Sequence, residues 1–260
     1  MAKETKKSGS SGGKQKPAVI IVGADKGGVG KTTVARTMLD YFAAKNVLTR
    51  AFDTESPRGT LKRFHPRVTE VVDLTQVADQ MKVLDTLHTS EVKVSIIDVR
   101  AGLLSRTLKD MTDIGFFDAV ENREFKFALF HVLGPSVASL SEIEDVMPFT
   151  ENGEYFVVKN HINETNFFEW DQDTYDRYFK RSRRATHEIN VPKLNEMAYE
   201  QVEIAGVPFA SFAQNKNDKN QKGDYSLVLR GYVRTWEKAI HEQLDNAGLM
   251  EWATEGAQAS

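Results

Sequence analysis

The sequence predicts an α/β fold, with a mostly parallel central sheet and helices on both faces. Three observations carry that expectation. Continuous apolar runs of strand length recur along the chain without alternation, as in strands buried on both faces. Segments with helical spacing separate most of these runs. A glycine-rich run falls between the first strand and the first helix.

Taken in order, residues 1 to 17 carry five Lys, one Glu and a Ser/Gly core, with Met1 the only large apolar side chain. Such a segment cannot repay the entropy of ordering and is expected to be a flexible basic tail. Ala18 to Gly23 is the first buried strand. Thr32 to Ala44 places Val34, Ala35, Met38, Leu39 and Phe42 at helical spacing, and Leu48 to Phe52 returns to strand character. Further strands are expected over Val92 to Ile97, Phe125 to Leu133, Tyr155 to Val158 and Ile189 to Val191. A last long helix is expected from Ser226 to Asn246, with Val228, Leu229, Tyr232, Val233, Trp236, Ala239, Ile240 and Leu244 on one stripe. The expected organisation is one domain over 18 to 250 and a C-terminal tail over 251 to 260.

Composition narrows the functional classes. The 260 residues are ample for a sizeable core. With 34 Lys and Arg against 37 Asp and Glu, the net charge is −3, so any nucleic-acid contact must be local. Zero cysteines exclude disulfides, thiolate metal sites, iron–sulfur clusters and cysteine nucleophiles. No apolar run approaches the roughly 20 residues of a membrane helix, and no secretory signal is visible, so a cytoplasmic location is expected. The six histidines show no metal-binding spacing.

The chemistry concentrates in Lys26-Gly27-Gly28-Val29-Gly30-Lys31-Thr32-Thr33. Glycines let a backbone turn at positive φ and approach a ligand, so that successive N–H groups converge on phosphate oxygens. The following helix N-terminus adds favourable partial charge. Lys31 is placed to reach β and γ phosphates, and the Thr32 hydroxyl to ligate Mg²⁺. The usual G-x-x-x-x-G-K-[ST] pattern fails at its first position, where Asp25 stands, and a second lysine, Lys26, is present.

This run resembles the deviant Walker A motif of the ParA/MinD superfamily of P-loop ATPases and GTPases. The resemblance implies a Rossmann-like three-layer P-loop fold, ATP and Mg²⁺ as cofactors, and ATP-dependent homodimerisation in which Lys26 reaches the partner subunit's phosphates. The competing reading of Lys26 is a solvated loop lysine, paired with Asp25. An Asp25 carboxylate near triphosphate weakens binding unless it points away or pairs with a lysine.

Phe52 to Thr60, FDTESPRGT, resembles the family's D-x-D-P-Q-G switch I segment, with Glu55 for the second Asp, an extra Ser56 and Arg58 for Gln. The resemblance puts Asp53 near Mg²⁺ and Lys31, and Glu55 where it orients the attacking water, with a hydrolysis rate open to the altered geometry. The alternative is that Asp53 or Ser56 caps a helix before Leu61 and Phe64. Val94 to Gly102 resembles Walker B: Asp98 would hold Mg²⁺ through water and Gly102 would offer its amide to the γ-phosphate, with Arg100 replacing the family's proline. Asn160, ending the strand Tyr155-Phe156-Val157-Val158-Lys159-Asn160, would read the adenine edge, and Pro192 would flank the base. Helix capping by Asn160 and a simple turn at Pro192 are the alternatives.

Lys180, Arg181, Arg183 and Arg184 form either a solvated face or a docking patch for DNA phosphates. Asn166, Phe167, Phe168, Trp170 and Tyr175 form an aromatic stretch expected to cover core, with partner recognition as the alternative. The resemblance implies an ATP-switched organiser of DNA or protein cargo, with a partner protein that stimulates slow hydrolysis, and nucleoid association where DNA is bound; Glu251 to Ser260 show no basic amphipathic face, so membrane docking is not expected. The alternatives are a dethiobiotin-synthetase-like enzyme acting on a small molecule and a weakly hydrolysing ATP-binding switch.

Overall fold

The computed structural model describes residues 16–87, 89–162, 165–180 and 186–255. Residues 1–15 of the expected tail lie outside these, as do Arg181, Arg183 and Arg184, and only the main chain of Lys180 is described. The elements run β1 (Ala18–Gly23), α1 (Lys31–Ala44), β2 (Thr49–Asp53), α2 (Thr60–Phe64), β3 (Thr69–Val71), α3 (Val77–Leu84), β4 (Val94–Asp98), α4 (Leu104–Asp113), α5 (Phe116–Glu121) and β5 (Lys126–Leu133). They continue with α6 (Val137–Val146), β6 (Glu154–Asn160), α7 (Gln172–Tyr175), β7 (Thr186–Val191), α8 (Glu196–Ala205), α9 (Phe209–Ala213), α10 (Leu227–Asn246) and α11 (Leu249–Thr254).

All seven strands of the sheet are parallel, in the order β3-β2-β4-β1-β5-β6-β7. The apolar runs of β1, β4, β5 and β6 explain this arrangement, because strands covered on both faces have no polar side to show water. In β1 the period of two sorts side chains cleanly. Ile20 and Val22 join a core with α1, α8, α9, α10 and α11, while Val19 and Ile21 join the opposite core with α4, α5 and α6. All four are fully buried, and each contributes about 1.5–3 kcal/mol of apolar burial.

The two cores also swallow charge. Lys159 of β6 is fully buried, with Nζ 3.0 Å from a Glu188 oxygen and 4.5 and 4.9 Å from the Phe179 and Tyr175 ring centres. Its cation therefore ties the segment after β6 onto the sheet. On the other face, the Arg36 guanidinium lies 3.4 Å from the Phe64 ring centre and 4.0 Å from that of Phe209, and pairs with Glu203 at 2.6 Å. One turn along α1, Asp40 meets Glu237 of α10.

Several expectations shift in detail. β3 was not foreseen, because three residues at a sheet edge carry no periodic signal. Val228 and Tyr232 of α10 are exposed, whereas Val233, Trp236, Ile240 and Leu244 face the core; the apolar stripe is narrower than its composition suggests. The segment expected to be a tail from 251 is in part α11, whose Leu249 and Ala253 are buried and whose Trp252 carbonyl accepts a hydrogen bond from Lys126 Nζ at 2.6 Å. In the aromatic stretch, Phe167 is buried and Phe168 and Tyr175 pack against the core, while Trp170 is 79% exposed.

The Asp40–Glu237 pair makes stability depend on pH. Burial raises both carboxyl pKa values, and that of Glu237 is raised further by Asp40. The unfolded chain releases these protons near pH 4 to 5, whereas the folded chain retains at least one, so the unfolded state binds fewer protons and stability falls as pH rises. Glu237→Gln keeps a neutral donor beside Asp40. Thermal melts should show it about 3 °C or more above wild type at pH 8, and level with it at pH 4.

Candidate functional site

β1 ends at the centre of the sheet, between β4 and β5, where the connections of a parallel sheet diverge and leave a crevice at the strands' carboxyl ends. The chain turns there through Asp25 to Gly30 and enters α1 at Lys31. Gly28 and Gly30 hold φ of 73° and 90°, in the left-handed region. Gly30 has a second reason to lack a side chain: a Cβ there would sit 2.1 Å from Asn160 Nδ2. No side chain caps α1, so its first main-chain N–H groups remain available to an anion.

A cavity of about 390 Å³ opens over this turn. Its walls include Gly28, Gly30, Lys31, Thr32 and Thr33 from the loop and α1, Asp53 at the end of β2 with Glu55 beyond it, and Asp98 at the end of β4 with Arg100 beyond it. Ile162 and Tyr199 close one side and also line a second cavity of about 170 Å³, together with Thr33, Asn160, Pro192, Lys193, Leu194 and Trp236. The two spaces share Thr33, Ile162 and Tyr199. They adjoin as one elongated site, rich in charged side chains at one end and more apolar at the other.

At the polar end, the Thr32 hydroxyl donates to Asp98 Oδ2 at 2.7 Å. Burial pushes the Asp98 carboxyl up to about 7, with the Thr32 bond and Lys31 opposing and Asp53 and Glu55 assisting. Lys31 Nζ donates to the Lys26 carbonyl at 3.1 Å. Burial lowers its pKa against the pull of Asp98, Glu142, Asp25 and Glu55. A buried carboxylate and a hydroxyl side by side are hard oxygen donors that fit Mg²⁺. Among the described residues no group of three or more His or acidic side chains gathers to hold a metal. A divalent ion at Thr32 and Asp98 would therefore need oxygens from water and phosphate to complete its shell.

Asp53 is buried and spends both oxygens on main-chain donors: Oδ1 accepts from Glu55 N at 2.9 Å, and Oδ2 from Leu61 N at 2.7 Å and Lys62 N at 3.2 Å. The helix-capping alternative is thus realised, with Asp53 capping α2 from across the intervening loop while still lining the cavity. The Glu55 carboxylate accepts from the Thr60 hydroxyl. Gly102 N donates to the Asp25 carbonyl at 2.8 Å. Asn160 is buried, and its Nδ2 donates to the Val29 carbonyl at 2.8 Å, so it braces the phosphate loop from the β6 side. The Pro192 carbonyl accepts from Trp236 Nε1 at 2.6 Å. Lys26 is exposed, and among the described residues no ion pair holds its ammonium. Its pairing with Asp25 is not formed, because the Asp25 carboxylate accepts from Ser105.

Tyr199, Ile162 and Trp236 were not foreseen as site residues. They belong to no motif and arrive from α8, the β6 connection and α10. Trp236 was legible only as a core residue of its helix.

No family model matches the chain, and no curated protein does. Solved structures do. A nucleotide-binding protein from Archaeoglobus fulgidus, in complex with ADP, is similar at 14% identity and a TM-score of 0.44, over 72% of this chain and 85% of that one. The MinD cell division protein of Aquifex aeolicus is similar at 15% identity and a TM-score of 0.48, over 84% and 95%. The MinC:MinD cell division complex of the same organism contains a similar chain at 14% identity and 0.48, over 84% and 94%.

The Gly30–Asn160 contact can be tested directly. Gly30→Ala imposes a left-handed conformation on a Cβ-bearing residue and drives it into Asn160, so urea unfolding should show a loss of at least about 1–2 kcal/mol. Gly30→Ala combined with Asn160→Ala should recover part of that loss, because the steric component is removed.

Proposed function

We propose that this chain binds ATP with Mg²⁺ and hydrolyses it slowly, and that ATP closes a homodimer which positions or partitions DNA or protein cargo. The observation that carries the nucleotide reading is the meeting of free α1 N–H groups, Lys31 and the Thr32–Asp98 pair at one end of an elongated cavity. Main-chain amides of residues 27 to 32 would grip the phosphates, with Lys31 neutralising charge between β and γ. Thr32 and Asp98 would hold Mg²⁺, which would supply charge stabilisation to the transferred phosphoryl group. Glu55 would orient water. Asp53, as the cap of α2, would hold Glu55 in place more than it would touch the metal.

The smaller cavity suits a base. Asn160 presents its carbonyl oxygen, since its amide group is engaged with Val29, and that oxygen can accept from an exocyclic amine such as adenine N6. Pro192, Ile162 and Trp236 supply apolar walls. The exposed, unpaired ammonium of Lys26 supports a reach toward a second subunit. An activating partner protein, and DNA contact through Lys180, Arg181, Arg183 and Arg184, belong to the same proposal. A second reading, a switch that binds ATP but barely turns it over, is favoured by one observation: Glu55 is already bonded to Thr60.

Calorimetry with ATP and Mg²⁺ should give saturable binding by wild type and a loss of about tenfold or more in Lys31→Ala, since a charge-assisted phosphate contact is removed. Absence of binding by folded wild-type protein overturns the nucleotide reading. Lys26→Ala should bind ATP as a monomer yet fail to dimerise in light scattering; ATP-dependent dimers of that variant would remove the cross-subunit role.

A further inference from the structure

Asp25 stands where the phosphate-loop pattern calls for glycine, and the structure gives all of its polar groups partners. Its N–H donates to Glu142 Oε2 at 2.9 Å, beside the Lys26 N–H, which donates to Oε1 of the same carboxylate at 3.0 Å. Its carbonyl accepts from Gly102 N at 2.8 Å. Its carboxylate accepts from the Ser105 N–H, at 3.3 Å to each oxygen, and from the Ser105 hydroxyl. Ser105 lies in the first turn of α4, where negative charge is favoured by the helix dipole. The carboxylate is thereby directed at α4 and its charge is partly offset, which eases the conflict with a triphosphate that its position in the motif raises.

One residue thus joins three separate elements: the phosphate loop, α6 through Glu142, and the turn from Arg100 to Ser105 that follows β4. That turn contains Gly102, whose amide the resemblance offers to a third phosphate and whose present partner is the Asp25 carbonyl. The same amide cannot serve both the Asp25 carbonyl and a phosphate oxygen at full strength. A side chain that pins the turn to the loop therefore sets the cost of moving Gly102.

We propose that Asp25 is a positioning residue that latches the Gly102–Ser105 turn onto the phosphate loop, so that recruiting the Gly102 amide to a γ-phosphate requires the latch to open. This rests on the nucleotide reading above. It makes Asp25 a determinant of discrimination between nucleoside triphosphate and diphosphate, because a diphosphate leaves Gly102 where it is. The latch is built from a charged acceptor and a hydroxyl, a bond strong enough to bias that choice by about tenfold.

The test uses Ser105→Ala, which deletes one hydroxyl, together with Asp25→Gly and Asp25→Asn. Hydrogen exchange measured without nucleotide should quicken at residues 102 to 105 in Ser105→Ala and Asp25→Gly, with β1 unchanged. Calorimetry in Mg²⁺ should show the ratio of ATP to ADP affinity rising about tenfold in both variants through tighter ATP binding, with ADP affinity held. Asp25→Asn, which keeps one oxygen acceptor for Ser105, should lie between them and wild type. A shift of both nucleotides by the same factor, or an unchanged ratio, overturns the latch, as does unchanged exchange at Gly102 in a Ser105→Ala protein that binds nucleotide. A wild-type chain that binds neither nucleotide overturns the reading of the site itself, and the latch's role in nucleotide choice falls with it.

Discussion

The site depends on the confinement of β1. Buried on both faces and flanked by two parallel partners, this strand can neither shift register nor expose an edge without forfeiting most of the apolar contact that holds the centre of the sheet. Its carboxyl end is consequently a fixed point. The neighbouring strands deliver Asp98 and His131 to the same level, the first toward the cavity and the second into the core beside Tyr155 and Glu142. Everything polar in the crevice is measured from that end.

A second theme is the completeness of internal pairing. Asp53, Glu55, Gly102, Asn160 and the Lys31 ammonium each have a hydrogen-bond partner within the chain. A ligand entering the crevice would therefore exchange partners with these groups more than it would satisfy orphans. Such exchanges cost little individually, because a single hydrogen bond is worth about 0.5–1.5 kcal/mol net. The uncapped first turn of α1 is the exception, with donors held open by the absence of any competing side chain.

What could be read before the structure was known follows physical lines. Strands such as β1, β4 and β5 were legible because burial on both faces demands unbroken apolar sequence, and α1 because its apolar residues repeat with the helical period. The turn between β1 and α1 was legible because its glycines mark a tight left-handed path, held by Gly28 and Gly30, and Gly30 also leaves room for Asn160. Asp53 lines the crevice, but its engagement with Leu61 and Lys62 depends on how the loop after β2 folds back, which no local pattern encodes. Glu142 lies 116 residues from the Lys26 amide it accepts, and Tyr199 arrives from a helix with no motif of its own. Such residues are chosen by tertiary geometry, and in a single sequence they look like any other surface glutamate or core tyrosine.

The docking of α11 has a practical side. Lys126 opens β5, and its ammonium rests on the Trp252 carbonyl, so the last helix acts as a plug beneath the sheet's amino-terminal edge. A reporter fused directly after residue 250 would cut that plug in half, removing Ala253 from the core and stranding a cation under the strand that carries His131. Attachment beyond Glu255 spares the contact.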